Sequence, residues 1–172
     1  FNSDDTPGRY IYLRDDETKD YWSASWQPVA KPLDVYKSEC HHGTAYTNMI
    51  ADYAGIHSEV LYYVPLGKTY EVWSTKVTNT SDKERKISVF SYAEFTNESN
   101  YEQDQVNLQY TLFITRTRFL GNKIVQSINE NVGKDATGSN HRERFIGLCG
   151  APVTSYNGDK DAFLGSCLLY TS

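Results

Sequence analysis

Cysteine is scarce in this 172-residue chain, at three residues, Cys40, Cys149 and Cys167. An odd count without ligand-like spacing argues against a disulfide framework and against a zinc site, and suits a reducing, cytoplasmic setting. Long apolar runs are also missing. No stretch approaches the ~20 residues of a membrane-spanning helix, and the N-terminus lacks the basic-then-apolar layout of a secretory signal. Positive charge is in deficit, with 17 Lys and Arg against 22 Asp and Glu and a net charge of -5. No basic run interleaves with the aromatics, so neither nucleic acid nor an anionic membrane is expected as a partner. The chain holds no glycine-rich phosphate loop at a strand-to-helix junction, no nucleophile elbow and no His-Glu-x-x-His pair. A self-contained active site is therefore not visible.

What the chain does have is aromatic residues, 14% of the total, with fourteen tyrosines. Tyrosine favours half-buried pleated surfaces, and no apolar stripe of helical period stands out. With 39% apolar residues, the chain can bury one core. The expected fold class is all-β, an antiparallel β-sandwich. Residues 9–13 read as a strand leading into the acidic turn Asp15-Asp16-Glu17, and a short strand over residues 21–26 returns from it. Ile56, Ser58, Val60, Tyr62 and Val64 alternate with His57, Glu59, Leu61 and Tyr63 before the turn Pro65-Leu66-Gly67-Lys68. Residues 70–78 alternate similarly, and Ile87, Val89, Ser91, Ala93 and Phe95 share one face of a further strand. Residues 110–117 and 123–128 pair across Leu120-Gly121-Asn122, and short late strands are expected at 142–148 and 161–164. Strand and short turn in alternation imply an antiparallel meander. Residues 131–140 are rich in Gly, Asp, Ser and Asn and read as an excursion.

Several clusters invite chemistry. The carboxylates Asp15, Asp16 and Glu17 could imitate a catalytic set, but adjacent carboxylates on a turn point apart and repel, so a solvated hairpin tip is expected. Trp22 and Trp26 could form a sugar platform, or could share one strand face as core. Residues 37–43 bring Cys40, His41, His42 and Glu39 together. Adjacent histidines on an extended segment face opposite sides and cannot chelate one ion, and a nucleophilic Cys40 would need a basic neighbourhood that sequence alone does not display. Two triplets, Asn79-Thr80-Ser81 and Asn97-Glu98-Ser99, match glycosylation sequons, a pattern that arises often by chance. Residues 97–110 read Asn-Glu-Ser-Asn-Tyr-Glu-Gln-Asp-Gln-Val-Asn-Leu-Gln-Tyr. Planar amides and carboxylates beside tyrosine can grip sugar hydroxyls, and loops on a rigid β scaffold are where binding residues gather.

Motifs in a fixed order then add a resemblance. Gly8-Arg9-Tyr10-Ile11-Tyr12-Leu13-Arg14-Asp15, Trp22-Ser23-Ala24-Ser25-Trp26-Gln27-Pro28-Val29, Glu39-Cys40-His41-His42-Gly43, Tyr63-Val64-Pro65-Leu66-Gly67, Val77-Thr78-Asn79-Thr80-Ser81-Asp82-Lys83, Ala93-Glu94-Phe95 and residues 103–110 together resemble the N-terminal domain of glycoside hydrolase family 94. These are the inverting disaccharide phosphorylases, and the cellobiose phosphorylases among them are the named comparison. The resemblance implies a galactose-mutarotase-like β-supersandwich, truncated at both ends, over residues 1–166, with residues 167–172 a non-family, artefactual tail. It implies that the general acid lies in a missing barrel domain, so that no catalytic residue is expected in this chain. The reaction implied converts cellobiose and phosphate to α-glucose 1-phosphate and glucose, with phosphate a co-substrate and no cofactor or metal. The family's loop that reaches the partner subunit's substrate pocket corresponds to Asn100 through Gln109. Gln109 is implied to contact substrate, Gln105 and Asn107 to line the rim, and Asn100 and Asp104 to belong to the same loop. Implied partners are a β-linked disaccharide, phosphate and the second subunit of a homodimer. Departures exist: one extra residue is needed near Ser99, which stands where relatives carry Trp, His41 replaces an Arg and Ala24 a Pro. The alternative without a parent enzyme is a free-standing carbohydrate-binding β-sandwich module.

Overall fold

The computed structural model describes residues 8–95, 115–128, 142–160 and 162–163. Ten strands are present among them, all in antiparallel sheets, in keeping with the all-β expectation. The chain divides into two compact units, Phe1–Glu94 and Phe95–Ser172.

In the first unit, β1 (Arg9–Asp15) lies between β2 (Tyr21–Ser23) and β7 (Ile87–Ala93). β3 (Lys37–His42), β4 (Tyr46–Tyr53), β5 (Ile56–Tyr63) and β6 (Val72–Asn79) form a four-stranded meander in chain order. β5 shows why these segments become strands: Ile56, Ser58, Val60 and Tyr62 are buried, while His57, Glu59, Leu61 and Tyr63 are half-buried. A period of two places the first set on the inner face, where Ile11 and Leu13 of β1 join them. Trp22, Ala24, Tyr36 and Ala51 complete this core. Full burial of a Leu-, Val- or Ile-sized side chain contributes about 1.5–3 kcal/mol, so this cluster is the main source of the unit's stability.

Turn chemistry sets the register. β4 and β5 are joined by Ala54 and Gly55, with φ of 51° and 77°, the two positive values that a type I′ hairpin requires. Arg85 Nη1 donates to the Ala54 carbonyl at 2.7 Å, and Thr80 donates to the Gly55 carbonyl. The acidic turn after β1 departs from the sequence expectation. Asp15 is 2% exposed, because its carboxylate accepts from the Glu17 and Thr18 amides at 2.8 and 3.2 Å and from Arg85 Nη2 at 2.5 Å. Asp16 is likewise engaged, by Arg14 and by Ser88 Oγ at 2.7 Å. Only Glu17 of the three is a solvated tip residue.

β2 stops at Ser23, earlier than the run to Trp26 suggested. Trp26 and Ala30 take positive φ, and Gln27-Pro28 is a cis peptide. The buried Tyr36 hydroxyl organises the bend, donating to the Ser23 carbonyl at 2.7 Å and accepting from the Trp26 amide at 3.0 Å.

In the second unit, β8 (Thr115–Leu120), β9 (Lys123–Ile128) and β10 (Arg142–Gly147) form a meander in the order β10-β9-β8. Gly121 carries the positive φ of the β8–β9 turn, and Asn122 Nδ2 donates to the Leu148 carbonyl at 2.8 Å. Phe119 and Tyr156 stack with centroids 4.2 Å apart. The strand expected at 161–164 is not formed by its described residues. Ala162 and Phe163 are helical, with the Phe163 amide bonded to the Asp159 carbonyl at 3.0 Å. Asp159 Oδ1 caps the Ala162 amide, which favours a turn of helix over an extended chain.

Candidate functional site

The residues implied to contact sugar, Asn100, Asp104, Gln105, Asn107 and Gln109, lie outside the described residues. In the sequence these residues fall between β7 (Ile87–Ala93) and β8 (Thr115–Leu120). On the face of β1 opposite Ile11 and Leu13, Tyr10 and Tyr12 meet Tyr92 of β7, with ring centroids 6.0–6.3 Å apart. Arg14 lies over the Phe90 ring at 5.2 Å, and the Glu94 amide bonds the Gly8 carbonyl at 2.9 Å. Cross-strand aromatic pairs contribute roughly 0.2–1 kcal/mol each. They stiffen the pairing of β1 with β7.

The two tryptophans do not make a paired platform. Trp22 is 1% exposed and belongs to the core, with its ring 5.2 Å from that of Tyr53. Trp26 packs against the same core and donates its indole N–H to the Lys31 carbonyl at 2.8 Å. Beside them Asp20 accepts from Lys31 Nζ at 2.5 Å and from the Tyr53 hydroxyl at 2.8 Å. Burial pushes the Asp20 carboxyl up, but the bonds from Lys31 and Tyr53 outweigh it and hold it below its ordinary value of 3.8. Burial and the bond to Asp20 push the Tyr53 phenol up to about 12. This is a structural knot that ties β2 to β4.

Residues 37–42 form the edge strand β3, all exposed. His41 and His42 point to opposite faces, as their adjacency requires. His41 Nε2 meets Glu39 at 3.2 Å, while His42 meets Cys40 Sγ at 3.2 Å and Thr47 Oγ1 at 3.0 Å. Among the described residues no group of three His, Cys, Asp or Glu side chains is placed to hold a metal ion.

The outer face of the four-stranded sheet carries two features the sequence reading missed. One is an open depression of about 490 Å³ lined by Tyr46, Leu61, Tyr63 and Ser74. The register builds it, pairing Tyr46 with Tyr63 and Leu61 with Ser74. Alternation in β5 marks Leu61 and Tyr63 as outward, but their neighbours on β4 and β6 follow from register alone. The other is His57, whose ring nitrogens meet Asp52 Oδ1 at 2.8 Å and Glu59 Oε1 at 3.2 Å. The Asp52 bond raises the imidazole above 6.5 against the opposing effect of burial, and Glu59 adds to the rise.

Comparison with known proteins gives the frame that this geometry lacks by itself. The family described as "Glycosyl hydrolase 94, supersandwich domain" matches residues 2–169. An N,N'-diacetylchitobiose phosphorylase of Vibrio furnissii is 40% identical over 165 residues, covering 94% of this chain and 19% of that protein. A solabiose phosphorylase of Paenibacillus borealis is 32% identical over 160 residues, covering 92% of this chain and 19% of its own length. A cellobionic acid phosphorylase of Neurospora crassa is 34% identical over 86 residues, half of this chain. The chain thus spans about one fifth of the length of the first two.

Proposed function

The chain belongs to the supersandwich domain family of glycoside hydrolase 94, and from that membership we propose that it serves as the N-terminal carbohydrate-binding and dimerisation domain of an inverting disaccharide phosphorylase. The observation that carries this reading is the match along residues 2–169, with phosphorylases co-linear over more than nine tenths of the chain. In the reaction, a general acid outside this chain protonates the oxygen of the leaving sugar. Phosphate attacks the anomeric carbon from the opposite face, where an inverting hydrolase would place water and a base. Phosphate is already anionic, so no base is needed. The domain's share is binding: Asn100, Asp104, Gln105, Asn107 and Gln109 sit on a loop that lines the sugar pocket of the second subunit of a homodimer. None of them cleaves a bond, and the 172-residue chain alone is inactive. The parent enzyme works in the cytoplasm, without a metal or other cofactor.

The substrate proposed is cellobiose, giving α-glucose 1-phosphate and glucose. N,N'-diacetylchitobiose is the second reading, favoured by the 40% identity to the Vibrio furnissii protein. The test is an assay of the full-length protein with each disaccharide, with and without inorganic phosphate. Sugar 1-phosphate should form from one of them and depend on phosphate. Free sugars released equally in the absence of phosphate would overturn the phosphorylase reading. Calorimetric titration of the isolated chain with cellobiose should show no binding; tight binding would favour an independent carbohydrate-binding module.

A further inference from the structure

We propose that Cys40 is a histidine-assisted nucleophilic thiol, a site of reversible thiol–disulfide exchange with small disulfides. The site is made by strand register. Cys40 and His42 are two apart on β3 and so share a face, and Thr47 of β4 stands directly opposite His42. Cys40 Sγ is 3.2 Å from His42 Nε2, and His42 Nδ1 is 3.0 Å from Thr47 Oγ1. When Nδ1 carries the ring proton and donates it to Thr47, the lone pair of Nε2 faces the thiol. That is the order of nucleophile, base and orienting group by which an activated nucleophile is recognised. His41 takes no part, because it turns to Glu39 on the other face.

Accessibility separates this thiol from a packing cysteine. Free cysteines are among the most buried residue types, yet Cys40 and His42 are both exposed on an edge strand. Cys149 is also exposed, and among the described residues no histidine hydrogen-bonds to it. It is therefore an internal reference for an unassisted thiol.

The step balances with a low-mass disulfide as co-reactant. The Cys40 S–H proton passes to His42 Nε2 while the sulfur electron pair attacks one sulfur of the disulfide. The S–S bond breaks, the departing thiolate carries its electron pair away, and the imidazolium returns the proton to it. The products are a mixed disulfide on Cys40 and one free thiol, and excess thiol reverses the exchange.

The test uses the full-length protein, exposed for timed intervals to glutathione disulfide or to iodoacetamide from pH 6 to pH 9. Peptide mass spectrometry reads the fraction modified at Cys40 and at Cys149. At pH 7 Cys40 should react about tenfold faster than Cys149 with both reagents, because a free thiol is only a few per cent thiolate at that pH. His42→Asn should bring Cys40 to within about twofold of Cys149 and leave Cys149 unchanged. Thr47→Val should give an intermediate rate, since it frees the imidazole to turn. The ratio of the Cys40 and Cys149 rates in the wild-type protein is a second readout, independent of any variant's folding. Equal rates at the two cysteines, no reaction at Cys40, or a Cys40 rate indifferent to His42→Asn would each overturn the proposal.

Discussion

At the scale of single residues, Asp15 and His57 are two titratable groups with opposite pH consequences. Asp15 is buried with Arg85 at 2.5 Å and two backbone amides on its carboxylate. The Arg85 bond lowers its pKa below 3.8 in spite of burial, and Ser88, followed by Arg14, does the same for Asp16. A carboxyl whose folded value lies below its unfolded one stabilises the fold above about 3.8 and loses that contribution as pH falls through the lower, folded value. For His57 the folded value lies above 6.5, so its contribution is complete below 6.5 and is lost as pH rises through the raised value. Urea denaturation as a function of pH should show both slopes. His57→Gln should remove the loss on the alkaline side and leave the acid side as it was. Asp15→Ala should cost about 1–3 kcal/mol, because it leaves the half-buried Arg85 guanidinium and the Glu17 and Thr18 amides without their acceptor. A denaturation midpoint unchanged by Asp15→Ala would mean that Arg85 finds another partner.

At the scale of elements, most strands were legible in the sequence, β9 and β10 among them, but β3 was not. β5 announces itself because each inward residue meets the core and each outward one does not. β3 carries no such signal: Lys-Ser-Glu-Cys-His-His is exposed on every residue, and its strand character comes from six register pairs with β4. The acidic turn was misread for a related reason, since composition marks Asp15 as solvated while its partner Arg85 lies 70 residues away. Long-range partners of that kind leave no local trace. The β4–β5 turn offers a direct check on element-level reasoning. Ala54 has φ of 51°, a region costly for alanine and tolerated by asparagine. Ala54→Asn makes the Asn-Gly pair preferred at type I′ turns and should stabilise by about 1 kcal/mol. Thermal unfolding reads this as a rise in Tm, and a fall would contradict the turn assignment.

At the scale of the whole molecule, the question is whether the domain's residues act on stability or on sugar. Residues 97–110 were conspicuous for their amides, but their assignment to a pocket comes from the ordered resemblance of many motifs rather than from the loop itself. Composition cannot say across which interface these residues reach, because the second surface is proposed to belong to another subunit. Two variants of the full-length enzyme separate the roles. Leu13 is fully buried in the core, so Leu13→Ala should cost about 2–5 kcal/mol of stability. At a temperature where the enzyme stays folded, the KM for disaccharide should be unaltered. Gln109→Ala removes an amide proposed to bond substrate, leaving pocket groups unpaired at a cost of about 1–3 kcal/mol. Its Tm should be that of the parent, while the KM for disaccharide rises by roughly one to two orders of magnitude and the KM for phosphate stays fixed. Unchanged disaccharide kinetics in Gln109→Ala would detach the loop from the pocket. An equal loss toward sugar and phosphate would place the effect on folding or dimer assembly instead, because a side chain on the sugar rim has no reason to weaken the two co-substrates alike.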